Sequence, residues 1–141
     1  MKTSENGKGF TKKHESCKLS AYKDGGGVPT IGWGHTRGVK MGQTITAEQA
    51  EALFDADLEP VETCINEHVI VPLTQNQFDA LSDFVFNVGI DAFARSTLLT
   101  KLNAGNYRAA ADQLTRWVYD NSVFIKGLYN RRCDERDLFL S

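Results

Sequence analysis

The sequence predicts an α+β fold in which helices predominate. Two observations carry this prediction: apolar residues recur at helical spacing through most of the chain after residue 46, and residues 19–43 break that pattern with seven glycines and Pro29. A short helix precedes the glycine-rich segment. The 141 residues suit one domain, 1–141. We expect a small β-containing lobe at about 14–58 and a helical lobe at about 59–141 that also includes the N-terminal helix.

The first 43 residues hold the predicted N-terminal helix and the predicted sheet. Residues 3–18 indicate a helix because Phe10, His14 and Cys17 follow helical spacing. Residues 19–43 alternate and carry many glycines, which is typical of a small β-hairpin or meander with tight turns.

Start and stop signals divide the remainder into helices. The tetrapeptides TAEQ at 46–49 and TQNQ at 74–77 are capping boxes, each followed by an apolar helical face. Pro60 lies inside the first of these helices and is expected to kink it. Gly89 is a plausible C-terminal stop for the second.

The last third of the chain predicts three further helices. Apolar residues at 98–102 indicate a short helix that ends near Gly105, and the spacing over 107–118 indicates another. Residues 122–127 interrupt the pattern before the last helix. One face of that helix is predicted to carry Leu128, Arg131, Arg132, Glu135, Leu138 and Phe139.

Charge and composition exclude several classes of protein. The net charge is −2 and residues 44–92 contain no Lys or Arg, so the chain is not basic enough to predict nucleic-acid binding. No apolar run reaches transmembrane length, and residues 1–10 lack a signal-peptide core. We therefore expect no membrane span and a chain that starts in the cytoplasm, with the removal of a leader segment as the open alternative. We also expect a monomer. The three cysteines have no metal or pairing spacing, which predicts reduced thiols, no metal site and no cofactor.

Two acidic residues and a hydroxyl in the N-terminal part form a candidate catalytic group. Glu15 is predicted at the end of the first helix, and Asp24 and Thr30 lie in the glycine-rich segment. If the sheet folds back on the helix, two carboxylates face each other across a gap, which is the arrangement that glycoside hydrolysis requires. One carboxyl group would donate a proton to the leaving oxygen, the other would stay ionised, and the hydroxyl could orient a water.

The same segment resembles the catalytic segment of phage-type lysozymes, glycoside hydrolase family 24, which are the endolysins of T-even and lambdoid phages. The resemblance rests on Glu15, Asp24 and Thr30 within the pattern E…L-x-A-Y-x-D…P-T-I-G-x-G-H-T. It continues in ITAEQAEALFDADL at 45–58, FVFNVG at 84–89, STLLTKLNAGNYRAAADQLTRW at 96–117 and GLYNRRCDERDLF at 127–139, and so covers nearly the whole chain.

The resemblance implies a fold, a reaction and three catalytic roles. The fold would be lysozyme-like, with a catalytic cleft between a small β-sheet lobe and a helical bundle. Glu15 would be the general acid, Asp24 the partner carboxylate and Thr30 the water-orienting hydroxyl in hydrolysis of the β-1,4 bond between N-acetylmuramic acid and N-acetylglucosamine. The family expectation is inversion at the anomeric carbon, although a nucleophile-like role for Asp24 stays open.

The resemblance also implies partners and a location. The substrate would be peptidoglycan, and the enzyme would lyse the host cell at phage release. It would wait in the host cytoplasm for a membrane lesion made by a holin and then act on the cell wall in the periplasm.

Several other residues are candidates for binding or support. A family carboxylate position falls on Asp57, which predicts a structural His35–Asp57 ion pair; catalysis by His35 is the alternative. Asn87 lies near the family's substrate-contacting position. Trp33 could stack on a sugar, but covering the small lobe is the favoured interpretation.

Arg131 has two interpretations of equal weight. The spacing of the last helix predicts the pairs Arg131–Glu135 and Arg132–Glu135. By alignment with the family, Arg131 would instead reach Glu15 and position the acid.

Three other functions remain as alternatives. The chain could be a lysozyme-fold protein that binds glycan without cutting it, which the presence of Glu15, Asp24 and Thr30 disfavours. It could be a chitinase acting on N-acetylglucosamine polymers, or a helical bundle that binds a partner without catalysis.

Overall fold

The computed structural model describes all 141 residues and confirms a predominantly helical α+β fold. The elements are α1 (Glu5–His14), β1 (Lys18–Lys23), β2 (Pro29–Gly32), α2 (Ala47–His68), α3 (Gln75–Val88), α4 (Ile90–Ala94), α5 (Thr97–Asn103), α6 (Tyr107–Gln113), a 3₁₀ turn (Leu114–Arg116), β3 (Tyr119–Asp120), β4 (Val123–Phe124) and α7 (Lys126–Leu140). They divide into two compact units, Gly9–Pro60 and Met1–Lys8 with Val61–Ser141.

The unit Gly9–Pro60 is built around the predicted hairpin. Strands β1 and β2 pair antiparallel, with Tyr22 opposite Thr30, and a register irregularity lies between Lys18 and Tyr22. An isolated bridge between Ser20 and Thr44 extends the pairing. The buried apolar side chains of this unit are Ile31, Ala50, Phe54 and Leu58.

Helix α1 is shorter than the predicted helix over 3–18. Its start is fixed by Ser4, whose Oγ accepts a hydrogen bond from the Gly7 N–H at 3.1 Å and so caps the helix. Its end comes at His14, because the chain from Lys18 onward pairs with β2 and is no longer free to continue as helix. The expectation that Cys17 lies in the helix is therefore wrong, since tertiary strand pairing outweighs local periodicity.

Helix α2 begins at the predicted capping box. The Thr46 N–H donates to Gln49 Oε1 at 2.9 Å, and the Gln49 N–H donates to Thr46 Oγ1 at 3.1 Å. The helix is continuous through Pro60 and ends at His68.

Helix α3 is the central helix of the other unit and confirms both of its predicted ends. Thr74 and Gln77 form a complete capping box, and Gly89 caps the C-terminus at φ 98°. The largest fully buried apolar side chains of this unit are Phe78, Phe84, Phe93, Phe139, Ile65, Leu81, Leu98 and Leu102.

The stretch after α6 differs from the predicted helix over 107–118. The helix ends at Gln113, tightens into a 3₁₀ turn and gives way to the two-residue strands β3 and β4. Asn121 and Ser122 make the hairpin turn at φ 49° and 65°. Trp117 leaves the helical pattern and packs edge-on against Phe84, with ring centroids 5.5 Å apart. None of the helices is both long and apolar enough to cross a bilayer.

Candidate active site

Glu15 follows α1 directly and is half-buried. Its backbone N–H still donates to the Thr11 carbonyl at 3.0 Å, so the last helical turn fixes its main chain. Its carboxylate lies against Gly34, since a Cβ built on that glycine would be 3.1 Å from Glu15 Oε1. The structure thus places the predicted acid beside the turn that follows β2.

Asp24 stands at the exposed end of the β1–β2 hairpin, and one of its carboxylate oxygens is held by the backbone. Asp24 Oδ1 accepts hydrogen bonds from the N–H groups of Gly26 at 2.9 Å and Val28 at 2.8 Å. Gly27 completes the turn at φ 80°. Two charge-assisted bonds to one oxygen fix the carboxylate in orientation and leave Oδ2 available.

Thr30 lies on β2, is buried, and is joined to Asp24 through a single residue. Its Oγ1 donates to the Val28 carbonyl at 2.9 Å, while the Val28 N–H binds Asp24. The structure therefore brings the predicted Asp24 and Thr30 together on the backbone of Val28. Because the Thr30 hydroxyl proton is already donated, its oxygen lone pairs can accept a hydrogen bond from a water.

The predicted His35–Asp57 pair is confirmed. His35 Nδ1 lies 2.9 Å from Asp57 Oδ2 and 3.0 Å from Oδ1. His35 Nε2 lies 2.9 Å from the Arg37 carbonyl. Both ring nitrogens therefore lie within hydrogen-bonding distance of acceptor oxygens, so the ring is fixed from two sides. A structural role for this pair, rather than a catalytic one, stays a prediction.

Arg131 is paired with Asp83, a partner that the residue spacing of α7 did not indicate. Its Nε donates to Asp83 Oδ2 at 2.9 Å and its Nη2 to Asp83 Oδ1 at 2.8 Å, with both residues buried. Spacing within α7 could not reveal this contact, because Asp83 belongs to α3. The predicted reach of Arg131 to Glu15 stays a prediction.

The predicted Arg132–Glu135 pair is confirmed, and it is fully buried. Arg132 Nε lies 2.8 Å from Glu135 Oε1, and Arg132 Nη2 donates to Glu135 Oε2 at 2.9 Å. The Arg132 guanidinium also lies over the Phe84 ring. Burial raises the pKa of Glu135 well above its usual range and lowers the pKa of Arg132, while the ion pair opposes both shifts.

Asn87 lies beside this pair and lines a surface pocket. Its Oδ1 accepts a hydrogen bond from Arg132 Nη2 at 2.8 Å. The pocket has a volume of about 550 Å³ and is lined by Asn87, Val88, Trp117, Tyr119, Asp120, Ile125, Leu128 and Arg132. Its wall is largely aromatic and aliphatic with a few polar groups, which is a composition suited to binding an organic ligand.

Residues 12–135 match the family model described as phage lysozyme. The chain belongs to the phage lysozyme family. It is 46% identical over 149 residues to the endolysin of Salmonella phage P22, with 100% of this chain and 99% of that protein covered. It is 42% identical over 145 residues to the endolysin of Acyrthosiphon pisum secondary endosymbiont phage 1, with 100% and 99% covered. Among solved structures, the muramidase domain of SpmX from Asticaccaulis excentricus shares 39% identity and a TM-score of 0.93, with 99% of this chain and 98% of that chain covered.

The phage lysozyme match spans Glu15, Asp24 and Thr30 and also the candidate binding residues. Among the latter, Trp33 is half-buried, with its ring 6.4 Å from that of Phe54 and Lys12 Nζ 5.5 Å from its centroid. These contacts are compatible with the favoured covering role, although both roles of Trp33 remain predictions.

Two residues outside the predicted set contact candidate residues of this phage lysozyme family member: Gly34 lies against Glu15, and Asp83 binds Arg131. The sequence around Gly34 indicates a turn glycine and gives no sign that a carboxylate lies on it. Asp83 could have been found, because Asp79 and Asp83 stand four residues apart in a helical stretch that is rich in apolar residues. A buried acidic position of that kind requires a partner.

Proposed function

We propose that this protein is an endolysin that hydrolyses the β-1,4 bond between N-acetylmuramic acid and N-acetylglucosamine in bacterial peptidoglycan. The proposal is supported by the phage lysozyme match over residues 12–135, by full-length relatives named endolysin and by a solved neighbour described as a muramidase domain. The observation that carries it is that Asp24 and Thr30 both bind the backbone of Val28: the Val28 N–H donates to Asp24 Oδ1, and Thr30 Oγ1 donates to the Val28 carbonyl.

Glu15 is the general acid in this proposal. It donates its proton to the glycosidic oxygen as the bond to the anomeric carbon breaks, so that the leaving sugar departs as a neutral alcohol. General acid catalysis of this kind contributes about 10²–10⁴-fold to the rate. The adjoining turn at Gly34 borders the carboxyl group and limits where it can lie.

Asp24 and Thr30 orient the attacking water, and Asp24 also stabilises the positive charge that develops on the sugar. Asp24 is fixed through Oδ1, so Oδ2 faces the reaction, where it stabilises positive charge at the sugar carbon and accepts the proton of the water. Thr30 accepts a hydrogen bond from the same water and aims its oxygen at the anomeric carbon. We propose inversion as the stereochemical outcome, which requires room for that water beside the carboxylate.

Substrate contacts are assigned to three further residues. Asn87 would bind a polar group of the substrate from its pocket. Trp33 would stack on a sugar or, in the favoured interpretation, cover the small lobe. Arg131, which is bound to Asp83, would position the acid. We also propose that the protein acts as a monomer. It would stay in the host cytoplasm until a holin opens the membrane, and then act on the cell wall in the periplasm.

The test is lysis by matched acid-to-amide variants. Glu15→Gln and Asp24→Asn should each lower the rate of clearing of outer-membrane-permeabilised Gram-negative cells by at least about 10²-fold. The control Glu48→Gln changes an exposed acid of the same unit and should leave the rate unchanged. Thermal melts of all four proteins would show that they are folded.

Each alternative function predicts a different result. Full activity in Glu15→Gln would remove Glu15 from catalysis and refute the proposed mechanism. Glycan binding by the wild type without clearing would favour a non-cutting binder, and cleavage of chitin oligosaccharides in preference to peptidoglycan would favour a chitinase.

A further inference from the structure

We propose that Gly34 is a positioning residue for Glu15, because its bare α-carbon forms the surface against which the carboxyl group of the acid lies. A Cβ built on Gly34 would be 3.1 Å from Glu15 Oε1, closer than nine in ten real Cβ contacts, and Gly34 has φ 83°. Any side chain at this position would therefore push the carboxyl group by a few tenths of an ångström.

The turn that carries Gly34 is held at both ends by hydrogen bonds, which restrict its movement away from a new side chain. The N–H of Ile31 donates to the His35 carbonyl at 2.9 Å, and the N–H of His35 donates back to the Ile31 carbonyl at 2.9 Å. Ile31 is fully buried, and the His35 ring is tied to Asp57. Of the two contacting groups, the end of the Glu15 side chain is the one that can shift.

Other glycines of the unit Gly9–Pro60 show that a positive φ does not by itself bring a neighbouring side chain close to the glycine. Gly27, Gly38 and Gly42 also have positive φ, at 80°, 70° and 90°, yet a Cβ on any of them would meet nothing within 4 Å. At those positions a left-handed backbone alone explains glycine. Gly34 has the same backbone requirement and, in addition, a carboxylate in the space that a side chain would fill.

The functional consequence rests on the proposed role of Glu15 as general acid. Proton transfer depends steeply on geometry, and a displacement of about 1 Å can cost about 10²-fold in rate. A smaller shift of the carboxyl group should slow the chemical step and leave distant substrate contacts unchanged. Gly34→Ala is therefore expected to lower kcat and to leave KM nearly constant.

The test compares Gly34→Ala with Gly38→Ala, which has the same kind of backbone strain but no neighbour. We expect kcat on purified peptidoglycan to fall about tenfold in Gly34→Ala, with KM within about twofold of wild type. Gly38→Ala should keep the wild-type kcat. A wild-type kcat in Gly34→Ala would overturn the proposal, because the contact would then have no effect on the chemical step. Equal losses in both variants would also overturn it, because backbone strain alone would account for them.

A second readout does not depend on catalysis. The ¹³C resonance of the Glu15 side-chain carboxyl should move in Gly34→Ala and stay in place in Gly38→Ala; an unmoved resonance in Gly34→Ala would refute the contact. If Glu15→Gln keeps full lytic activity, the proposed function fails while this measurement still decides the contact. Should Gly34→Ala not fold, Gly34→Asn and Gly38→Asn replace the pair, since Asn tolerates positive φ better and still carries a Cβ.

Discussion

At the scale of single residues, burial and ion pairing have opposite effects on the pKa of Glu135. Glu135 is fully buried and ion-paired with Arg132, and burial of its carboxyl group is the larger effect on its pKa, with the nearby Asp83 adding to it. The folded protein therefore keeps a proton on Glu135 at pH values where the unfolded chain has lost it.

This difference predicts how stability depends on pH. Because the native state binds more protons than the unfolded state above the usual value of 4.5, the free energy of unfolding should fall as pH rises from there through the folded pKa of Glu135. The slope for one full proton is about 1.4 kcal/mol per pH unit. Glu135→Gln keeps the size of the neutral side chain and should lose this slope.

Urea unfolding of wild type and Glu135→Gln between pH 4 and 8 measures the effect directly, with the exposed Glu48→Gln as control. The stability of Glu135→Gln relative to wild type should improve as pH rises. A relative decline would mean that the pairing with Arg132 outweighs burial.

At the scale of elements, one buried acid holds the N-terminal segment on α3. Asp79 accepts the Ser4 N–H at 2.9 Å, the Ser4 hydroxyl and a Gln75 amide N–H at 2.9 Å, and it is completely buried. This close approach depends on Gly7, since a Cβ there would lie 2.5 Å from Asp79 Cγ.

Substitution by Ala is therefore expected to have opposite effects on stability at the two glycines of α1. Gly7→Ala should destabilise the protein by about 1–3 kcal/mol, because the new methyl group overlaps a buried carboxylate that has no room to move. Gly9→Ala meets nothing within 4 Å and should stabilise the helix by about 0.5–1 kcal/mol. Thermal and urea unfolding of both variants check this, and a similar effect of the two substitutions would contradict the packing account.

The elements also show which parts of the fold the sequence could predict. Helices α2 and α3 were predictable at their starts because capping boxes are local signals. The hairpin of β3 and β4 was not, because its strands are only two residues long and leave too few residues to show an alternating pattern. The end of α1 was misplaced because pairing with β2, and not local propensity, decides the conformation after His14.

On the scale of the whole molecule, the sequence predicted the residue types of the candidate site and two of its ion pairs, His35–Asp57 and Arg132–Glu135, but not its other contacts. Glu15, Asp24 and Thr30 stand out through motifs distributed along nearly the whole chain. The contact of Gly34 with Glu15 and that of Asp83 with Arg131 join residues that are distant in sequence, so the identity of each partner becomes visible only once the chain is folded.

In the proposed reaction, Glu15 protonates the glycosidic oxygen, and a water held by Asp24 and Thr30 attacks the anomeric carbon. Digestion of purified peptidoglycan in ¹⁸O-labelled water, followed by mass spectrometry of the fragments, tests it most directly. The account predicts reducing N-acetylmuramic acid ends that each carry one ¹⁸O atom. Ends that are 1,6-anhydro sugars without label, or intact glycan strands with released peptides, would contradict it.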